Sequence, residues 1–327
     1  MKLPRRRFLR LAGSAAALPP LSRFAWAQTY PMQPVRVIVP FAAGGQADVV
    51  GRLVAQKLSE QLGKQFYIEN VPGGGGSIGA GRAAQAAPDG YTILVADGIA
   101  FTANPSLYNK VPYDPIRDFA PITIAATTMQ VLAVHPSVPA RTVQELVALI
   151  KAGAGKYSYA SAGVGTGAHL TGELFRRSLD LDLVHVPYNS GAQAIAAAVA
   201  GHTSMSFASP TATLPQVKDG KLRALAVGGK ARVRDLSDVP TMREAGYSEV
   251  ECDTWLGALA PAKTPRDIIE LLNRELVRAV ALPDVQDRLV TLGFEPATAT
   301  PEEVANVIKT DTAKWADVIR AAGIKAE

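Results

Sequence analysis

The sequence contains few of the residues that form covalent cross-links, metal clusters or aromatic binding surfaces. Its 327 residues include one cysteine, Cys252, which excludes a disulfide within the chain and a cysteine-based metal cluster. Aromatic residues make up 6% of the chain; Trp26 lies in the N-terminal segment, which leaves Trp255 and Trp315. So few rings disfavour a sugar site, because sugars are usually held against aromatic side chains.

Histidines and nucleotide-binding motifs are equally scarce. The four histidines, His135, His169, His185 and His202, include no pair at metal-ligand spacing. No Gly-Lys-Ser or Gly-Lys-Thr follows a glycine-rich loop, which excludes a P-loop. We therefore expect neither a metal nor a resident cofactor.

The basic residues are concentrated at the start of the chain. The formal net charge is +5, but residues 1–27 hold six of the 34 lysines and arginines and no acidic residue. The rest of the chain has 28 basic and 29 acidic residues. A nucleic-acid partner is therefore not expected.

The same N-terminal segment has the order of an export signal. Arg5-Arg6-Arg7-Phe8-Leu9-Arg10 is followed by a short, weakly apolar stretch and then by Ala25-Trp26-Ala27. This order predicts a secretory signal, similar to a twin-arginine signal, with Sec export as the alternative. We expect cleavage near Ala27 and an exported protein that lies outside the cytoplasmic membrane. No later run reaches the ~20 apolar residues that span a bilayer.

Short apolar runs alternate with helical patterns along the chain. The runs Val35–Pro40, Phe66–Glu69 and Thr92–Ala96 predict buried strands, and the apolar face from Val49 to Leu62 predicts a helix. Asp114–Ile122 is expected to be a connecting stretch. A second series of strands and helices begins at residue 131, and helices 265–281, 283–292 and 301–322 each begin with a proline. Such alternation predicts an α/β fold with parallel sheets covered by helices on both faces.

Two glycine loops share one arrangement, in which a strand, a turn of small residues and a helix start follow one another. They are Pro40–Asp48 and Ser161–His169. Such loops direct free backbone N–H groups and the positive end of a helix at one point, which suits an anion. The alternative is that the glycines only permit tight turns.

A third glycine run, Gly74-x-Gly76-x-x-Gly79, matches the dinucleotide-binding pattern literally. The pattern belongs in the first strand-helix unit, with an acidic residue ~20 positions later. Asp97 comes near that position, but glycine runs match this pattern easily by chance. The run supports one alternative function, an exported enzyme that uses a phosphate-bearing cofactor.

Polar residues beside the two loops have more than one interpretation. Asp48 is either a first-turn acid favoured by the helix dipole or a counter-charge for a ligand ammonium group. His169, at a helix start, either contacts a bound anion or caps its own helix. Ser161 has no glycine two residues before it, so it does not fit the nucleophile elbow of a hydrolase.

Blocks distributed over the whole chain after the signal resemble the Bug family, the periplasmic receptors of tripartite tricarboxylate transporters. The blocks are Tyr30-Pro31, Val35–Phe41, Gly44-Gly45, Asp48, Arg52, Glu69-Asn70, Pro72-Gly73, Gly75–Gly79, Pro88–Tyr91, Tyr113-Asp114, Asp118–Ile122, Ser161-x-Gly163, His169-Leu170, Val186–Tyr188 and Ala260–Pro265. The chain departs from the family at Ala43, Asn189-Ser190 and Ser204. The ligand of better-known members is therefore not carried over.

The resemblance implies a type II periplasmic-binding fold, in which two α/β lobes close over a small ligand. We expect one lobe to span residues 29–130 plus 251–327 and the other to span 131–250. The ligand would be a small carboxylate: an organic acid, an aromatic acid or an acidic amino acid. The expected ligand-binding residues are Phe41, Gly44, Gly45, Asp48, Thr127, Ser161, Gly163, Gly165, Thr166 and His169.

The resemblance also implies a role without catalysis. A monomeric receptor would present its closed form to the permease of a tripartite transporter or to a sensor kinase. The carboxylate would be held mainly by backbone groups and water, with Ser161 and Thr166 contributing hydroxyls. Asp48 would contact a ligand amino group or orient the first loop.

Overall fold

The structure is a computed structural model that describes residues 30–153 and 155–325. The expected signal peptide, residues 1–27, lies outside these residues, so its cleavage near Ala27 stays a prediction. From Gln33 onward the described chain folds as one compact unit that contains two β-sheets.

The elements alternate along the chain as the hydrophobic patterns predict. The strands of the described residues are β1 (Val35–Val39), β2 (Phe66–Asn70), β3 (Thr92–Asp97), β4 (Phe119–Met129), β5 (Val131–Val134), β6 (Tyr157–Ser161), β7 (Leu183–Pro187), β8 (Met205–Ala208), β9 (Arg223–Val227), β10 (Asp253–Pro261) and β11 (Glu295–Pro296). The α-helices are α1 (Gln46–Leu62), α2 (Ser77–Ala84), α3 (Gly98–Leu107), α4 (Val143–Ala152), α5 (Gly167–Ser178), α6 (Gly191–Val199), α7 (Pro210–Lys218), α8 (Arg266–Val280), α9 (Pro283–Thr291) and α10 (Pro301–Ala322). None of these helices combines the length and apolar character needed to cross a bilayer.

The first sheet has six strands in the order β11-β4-β10-β3-β1-β2. Its strand β1 pairs in parallel with β2 and β3, and Val35, Val37, Ile38 and Val39 are fully buried. Strand β10, however, runs antiparallel between β3 and β4. The expectation of a parallel sheet is therefore wrong for this half, because a strand from much later in the sequence is inserted there.

The sequence patterns do not correctly predict two elements of the first lobe. The expected connecting stretch Asp114–Ile122 is wrong from Phe119 onward, where the eleven-residue strand β4 begins and pairs along its length with β10. Helix α3 was not predicted, since it contains Pro105 and begins with glycine. It is stabilised by its cap, in which the Asp97 side chain accepts a hydrogen bond from the N–H of Ala100, and by burial of Phe101.

The second sheet has five strands in the order β7-β6-β8-β5-β9. Strand β6 is parallel to β7 and β8, but β5 is antiparallel to β8 and β9, so the expectation of a parallel sheet is wrong for this sheet as well. The core beneath it includes Leu132, Phe175 and Phe207, none of which is more than 1% exposed. The carboxyl ends of β6 and β8 lead into α5 and α7, which places both helix starts at one edge of the sheet.

The chain passes between the two sheets at two adjacent points. It leaves through Gln130, between β4 and β5, and returns through Cys252, just before β10. Backbone hydrogen bonds join these points, since the N–H of Gly228 donates to Gln130 O (2.8 Å) and the N–H of Cys252 donates to Gly228 O (2.6 Å). The Cys252 side chain is 1% exposed and packs with Trp315 and Ile319 of α10.

Candidate functional site

A cavity of about 550 Å³ lies between the two lobes. Its walls come from the β1–α1 loop, the end of β3, the crossing point at Gln130, the loops after β6 and β7, helix α6 and the start of α7. Four of the predicted binding residues line it: Phe41, Gly44, Gly45 and Thr166. The other six, Asp48, Thr127, Ser161, Gly163, Gly165 and His169, are not among its lining residues.

The first glycine loop ends at an N-terminus of α1 that has no side-chain cap. Gly44 has a φ of +80°, which favours glycine, and Gly45 occupies the N-cap position without offering a side chain to the first turn. The N–H groups of the first helical turn have no partner within the helix itself. The N–H of Gly45 donates to Ala42 O at 3.3 Å. Since Gln46 and Ala47 also line the cavity, the donors at these two positions are available to a solute there.

The Asp48 side chain stabilises the first loop through hydrogen bonds. Its carboxylate is 2% exposed and accepts hydrogen bonds from the N–H of Gly44 (2.9 Å), Arg52 Nε (2.9 Å) and Asn70 Nδ2 (2.8 Å). Asn70 Nδ2 also donates to Phe41 O at 3.0 Å. Burial opposes ionisation, but the hydrogen bonds from Arg52, Gly44 and Asn70 outweigh it and hold the pKa of Asp48 below its usual value. This geometry favours the interpretation of Asp48 as a group that orients the loop.

Replacing Asp48 with asparagine is expected to loosen the first loop. The variant keeps the shape but loses the charge that strengthens three hydrogen bonds. We expect about 2 kcal/mol less unfolding free energy at pH 7 and roughly tenfold weaker binding of the solute, measured by urea denaturation and calorimetry. Asp267→Asn is the matched control, because Asp267 is an exposed first-turn acid of α8. Unchanged affinity in Asp48→Asn would show that the loop does not depend on this carboxylate.

The second glycine loop is shaped by residues that lie beneath its surface. Gly163 and Gly165 have φ values of +115° and +80°. Thr166 is the N-cap of α5; its Oγ1 accepts from the N–H of His169 and donates to Gly163 O at 2.7 Å. Ser161 is fully buried, and its Oγ lies 2.7 Å from His185 Nε2. Of these residues only Thr166 reaches the cavity, where Ala162, Gly167 and Ala168 join it.

A buried polar cluster supports this second loop. The rings of His169 and His185 lie 4.6 Å apart, and Tyr159 stacks on His185 at 4.7 Å. Burial lowers the pKa of both histidines to about 4, so both are neutral at pH 7. His169 Nδ1 accepts a hydrogen bond from the N–H of Gly165 at 3.3 Å. His169 therefore positions the loop and carries no positive charge for an anion.

Glu173 completes the cluster. It accepts hydrogen bonds from Tyr159 Oη (2.9 Å), Arg176 (2.6 and 3.0 Å) and Arg177 (3.1 Å). Burial opposes its ionisation, but Arg176 and the other donors lower the pKa of Glu173 to about 2. Glu173 therefore stays charged over the pH range in which the histidines titrate.

Thr127 lies on β4, paired with Trp255 of β10 and Glu295 of β11, and does not line the cavity. The crossing residue that does line it is Gln130, three positions later. The position directly before the apolar run of β5 was the available signal for Gln130. The sequence draws attention to Asp97 only as an acidic residue about 20 positions after the third glycine run.

Among the described residues that line the cavity, the acidic one is Asp97 and the basic one is Lys221. The Asp97 carboxyl accepts hydrogen bonds from Gln46 Nε2, from Thr254 Oγ1 (3.2 Å) and from the N–H of Ala100 (3.3 Å). Burial raises the pKa of Asp97. The described residues contain no group of three histidine, cysteine or acidic side chains that could hold a metal ion.

The third glycine run packs against the second loop. A Cβ on Gly75 would lie 2.7 Å from Val164 O and 2.9 Å from the carbonyl carbon of Gly165. Asn104 Nδ2 donates to Gly75 O at 2.9 Å, and Tyr108 Oη donates to Val164 O at 2.8 Å. The run therefore brings the first lobe against the second loop, and none of its glycines lines the cavity.

A model of the family described as tripartite tricarboxylate transporter family receptor matches residues 50–324. The chain belongs to this family. Its members are solute receptors, which agrees with a cavity whose walls come from two lobes. The similarity to Bug proteins suggested by the sequence is confirmed, as is the type II periplasmic-binding fold.

Three solved structures share the fold of this receptor. The periplasmic binding protein BugD is 35% identical with a TM-score of 0.86, covering 91% of this chain and 100% of that one. R. palustris Rpa4515, solved with adipate, is 30% identical with a TM-score of 0.86, covering 90% and 99%. MatC (Rpa3494) from Rhodopseudomonas palustris, solved with bound malate, is 31% identical with a TM-score of 0.83, covering 89% and 100%.

Proposed function

We propose that this receptor binds a small carboxylate between its two lobes in the periplasm, without catalysis. The observation that carries the proposal is that two helix N-termini, those of α1 and α5, meet one cavity from different lobes. Free N–H groups and the positive helix ends both favour an anion there. The adipate and malate in the two R. palustris structures support the same class of solute.

The remaining parts of the proposal follow from this role. The lobes would span residues 29–130 plus 251–327 and residues 131–250. The ten residues predicted from the sequence would then differ in role. Phe41, Gly44, Gly45 and Thr166 would contact the solute. Five others would hold the loops: Asp48, Ser161, Gly163, Gly165 and His169. Thr127, on β4, would do neither. The protein would be exported with cleavage near Ala27 and act as a monomer that delivers solute to a tripartite permease or signals to a sensor kinase.

The first test is a binding screen of protein that has been unfolded and refolded to remove carried solute. Mono-, di- and tricarboxylates, amino acids and aromatic acids are compared with sugars and NAD as controls. A solute at 100 times its Kd adds about 2.7 kcal/mol to the unfolding free energy, which a thermal shift detects. A shift with acids alone supports the proposal. A shift with NAD and none with acids, or turnover of a bound acid, contradicts it.

A substitution at Gly45 tests where the carboxylate binds. Gly45→Asp places a carboxylate at the N-cap of α1, where it would accept the hydrogen bonds of the first turn and repel an anion. We expect at least a 100-fold loss of acid binding with little loss of stability. Gly45→Ser is the matched control, since it adds a similar cap and the same crowding against Ala42 O without a charge. Equal affinities in both variants would place the carboxylate elsewhere.

A further inference from the structure

One stretch of the cavity wall in the second lobe is apolar. Helix α6 contributes Ala192, Ile195, Ala196 and Val199 to the lining, and their spacing of three and four residues puts them on one side of the helix. The wall formed by these four residues is called the apolar wall below.

The polar groups near the apolar wall already have partners or are neutral. Ser190 Oγ accepts the N–H of Gln193 at 3.3 Å, and Thr211 Oγ1 donates to Leu292 O at 3.0 Å. Lys221 Nζ lies 2.8 Å from Asp219 Oδ2, and its side chain is 53% exposed. Ser209 and Gln216 add only uncharged groups to the lining. A second negative charge on the solute would therefore find no buried cation on this side of the described cavity.

The energetics favour an apolar group at this end. A carboxylate taken out of water needs a cation or several hydrogen-bond donors to compensate for its lost hydration. A methylene group placed against the wall instead raises affinity by about fourfold. The cavity of about 550 Å³ leaves room for a ring or a chain beyond the carboxylate.

We infer that the solute of this receptor is a monocarboxylate with an apolar tail, a ring or an alkyl chain, and not a diacid. The inference rests on the proposed function, because it takes the carboxylate to lie at the N-termini of α1 and α5. The tail then lies along the apolar wall. This selectivity would differ from that suggested by the adipate and malate found in the two related structures.

The test compares acids that differ only at the far end. Hexanoate and adipate have the same chain length, and benzoate and terephthalate have the same ring; the second acid of each pair carries an extra carboxylate. We expect the refolded protein to bind the monocarboxylate of each pair at least tenfold more tightly, measured by calorimetry. Tighter or equal binding of both diacids overturns the inference and leaves the proposed function intact. Binding of none of the acids in the screen overturns both.

A charge placed on the wall should reverse the preference. Ala196 is exposed to the cavity, so Ala196→Lys adds a cation beside the tail without filling the core. We expect the ratio of hexanoate to adipate affinity to fall at least tenfold. His202→Lys is the matched control: His202 is exposed, follows α6 and does not line the cavity, so its ratio should equal that of the unmodified protein. An unchanged ratio in Ala196→Lys would mean that the tail does not contact the wall, which overturns the inference.

Discussion

Acidification from pH 7 to pH 4 is expected to lower the unfolding free energy by about 3 kcal/mol for each of two histidines. His169 is buried, His185 is half-buried, and both are neutral, with pKa values of about 4 in the folded protein. In the unfolded chain they take up protons below a pKa of 6.5. Their folded pKa is depressed, so the stability is fully present above pH 6.5 and is lost as the pH falls towards 4. Glu173, with a pKa of about 2, stays ionised throughout this window.

Urea denaturation at a series of pH values between 7.5 and 4 measures this loss. Replacing His169 or His185 with glutamine should flatten the curve between pH 6.5 and 4, whereas the same change at exposed His202 should leave it unaltered. The imidazole proton signals provide an independent check. If those of His169 and His185 titrate near pH 6.5 in the folded protein, the proposed cause is wrong.

Substituting alanine for Gly165 should cause the second large effect, a loss of about 2–5 kcal/mol of stability. Gly165 has a φ of +80°, which costs an L-residue roughly 1–2 kcal/mol. Its new Cβ would also lie 2.7 Å from Asn104 Oδ1 and 2.9 Å from Tyr108 Oη. Crowding of this kind adds about 1–3 kcal/mol. Solute binding should weaken more than tenfold, because the substitution displaces the second glycine loop, which leads into α5.

Gly63 offers a matched control for this effect. It has a φ of +67° at the end of α1, and nothing lies within 4 Å of a Cβ built there. We therefore expect Gly63→Ala to lose only the roughly 1–2 kcal/mol of stability that a positive φ costs an L-residue. Its affinity for the solute should stay the same. Denaturation and calorimetry on both variants separate the two contributions. Equal losses of stability at Gly63 and Gly165 would show that the contact with Asn104 and Tyr108 carries no strain.

The sequence predicts those elements whose own residues supply the signal. Strand β1 has a continuous apolar run and α1 an apolar face, and both lie where those patterns indicate. Local sequence patterns do not indicate strand β4 or helix α3, because β4 depends on pairing with β10 and α3 depends on the Asp97 cap. The antiparallel position of β10 between β3 and β4 depends on pairing between strands that are distant in the sequence. Local hydrophobic periodicity therefore does not predict it.

The candidate site divides in the same way. The two loops are predictable because a turn of small residues between a strand and a helix start can direct backbone N–H groups at one point. Both loops reach the cavity. Which side chains face inward is a matter of tertiary geometry. The side chains of Asp48 and His169 accept hydrogen bonds from the loops and do not line the cavity. Gln130 and Ile195 do line it, although their sequence surroundings show no binding motif.

The burial of Cys252 has a practical consequence for studying this receptor. The chain has no other cysteine, and burial raises the pKa of this thiol to about 12. A thiol that is neither exposed nor ionised reacts slowly with maleimides and similar reagents. A cysteine introduced at an exposed position such as Ala192, at the cavity, could thus be labelled selectively with the natural cysteine left in place. A dye attached there would report solute binding through its fluorescence, so the folded protein can serve directly as a single-site sensor.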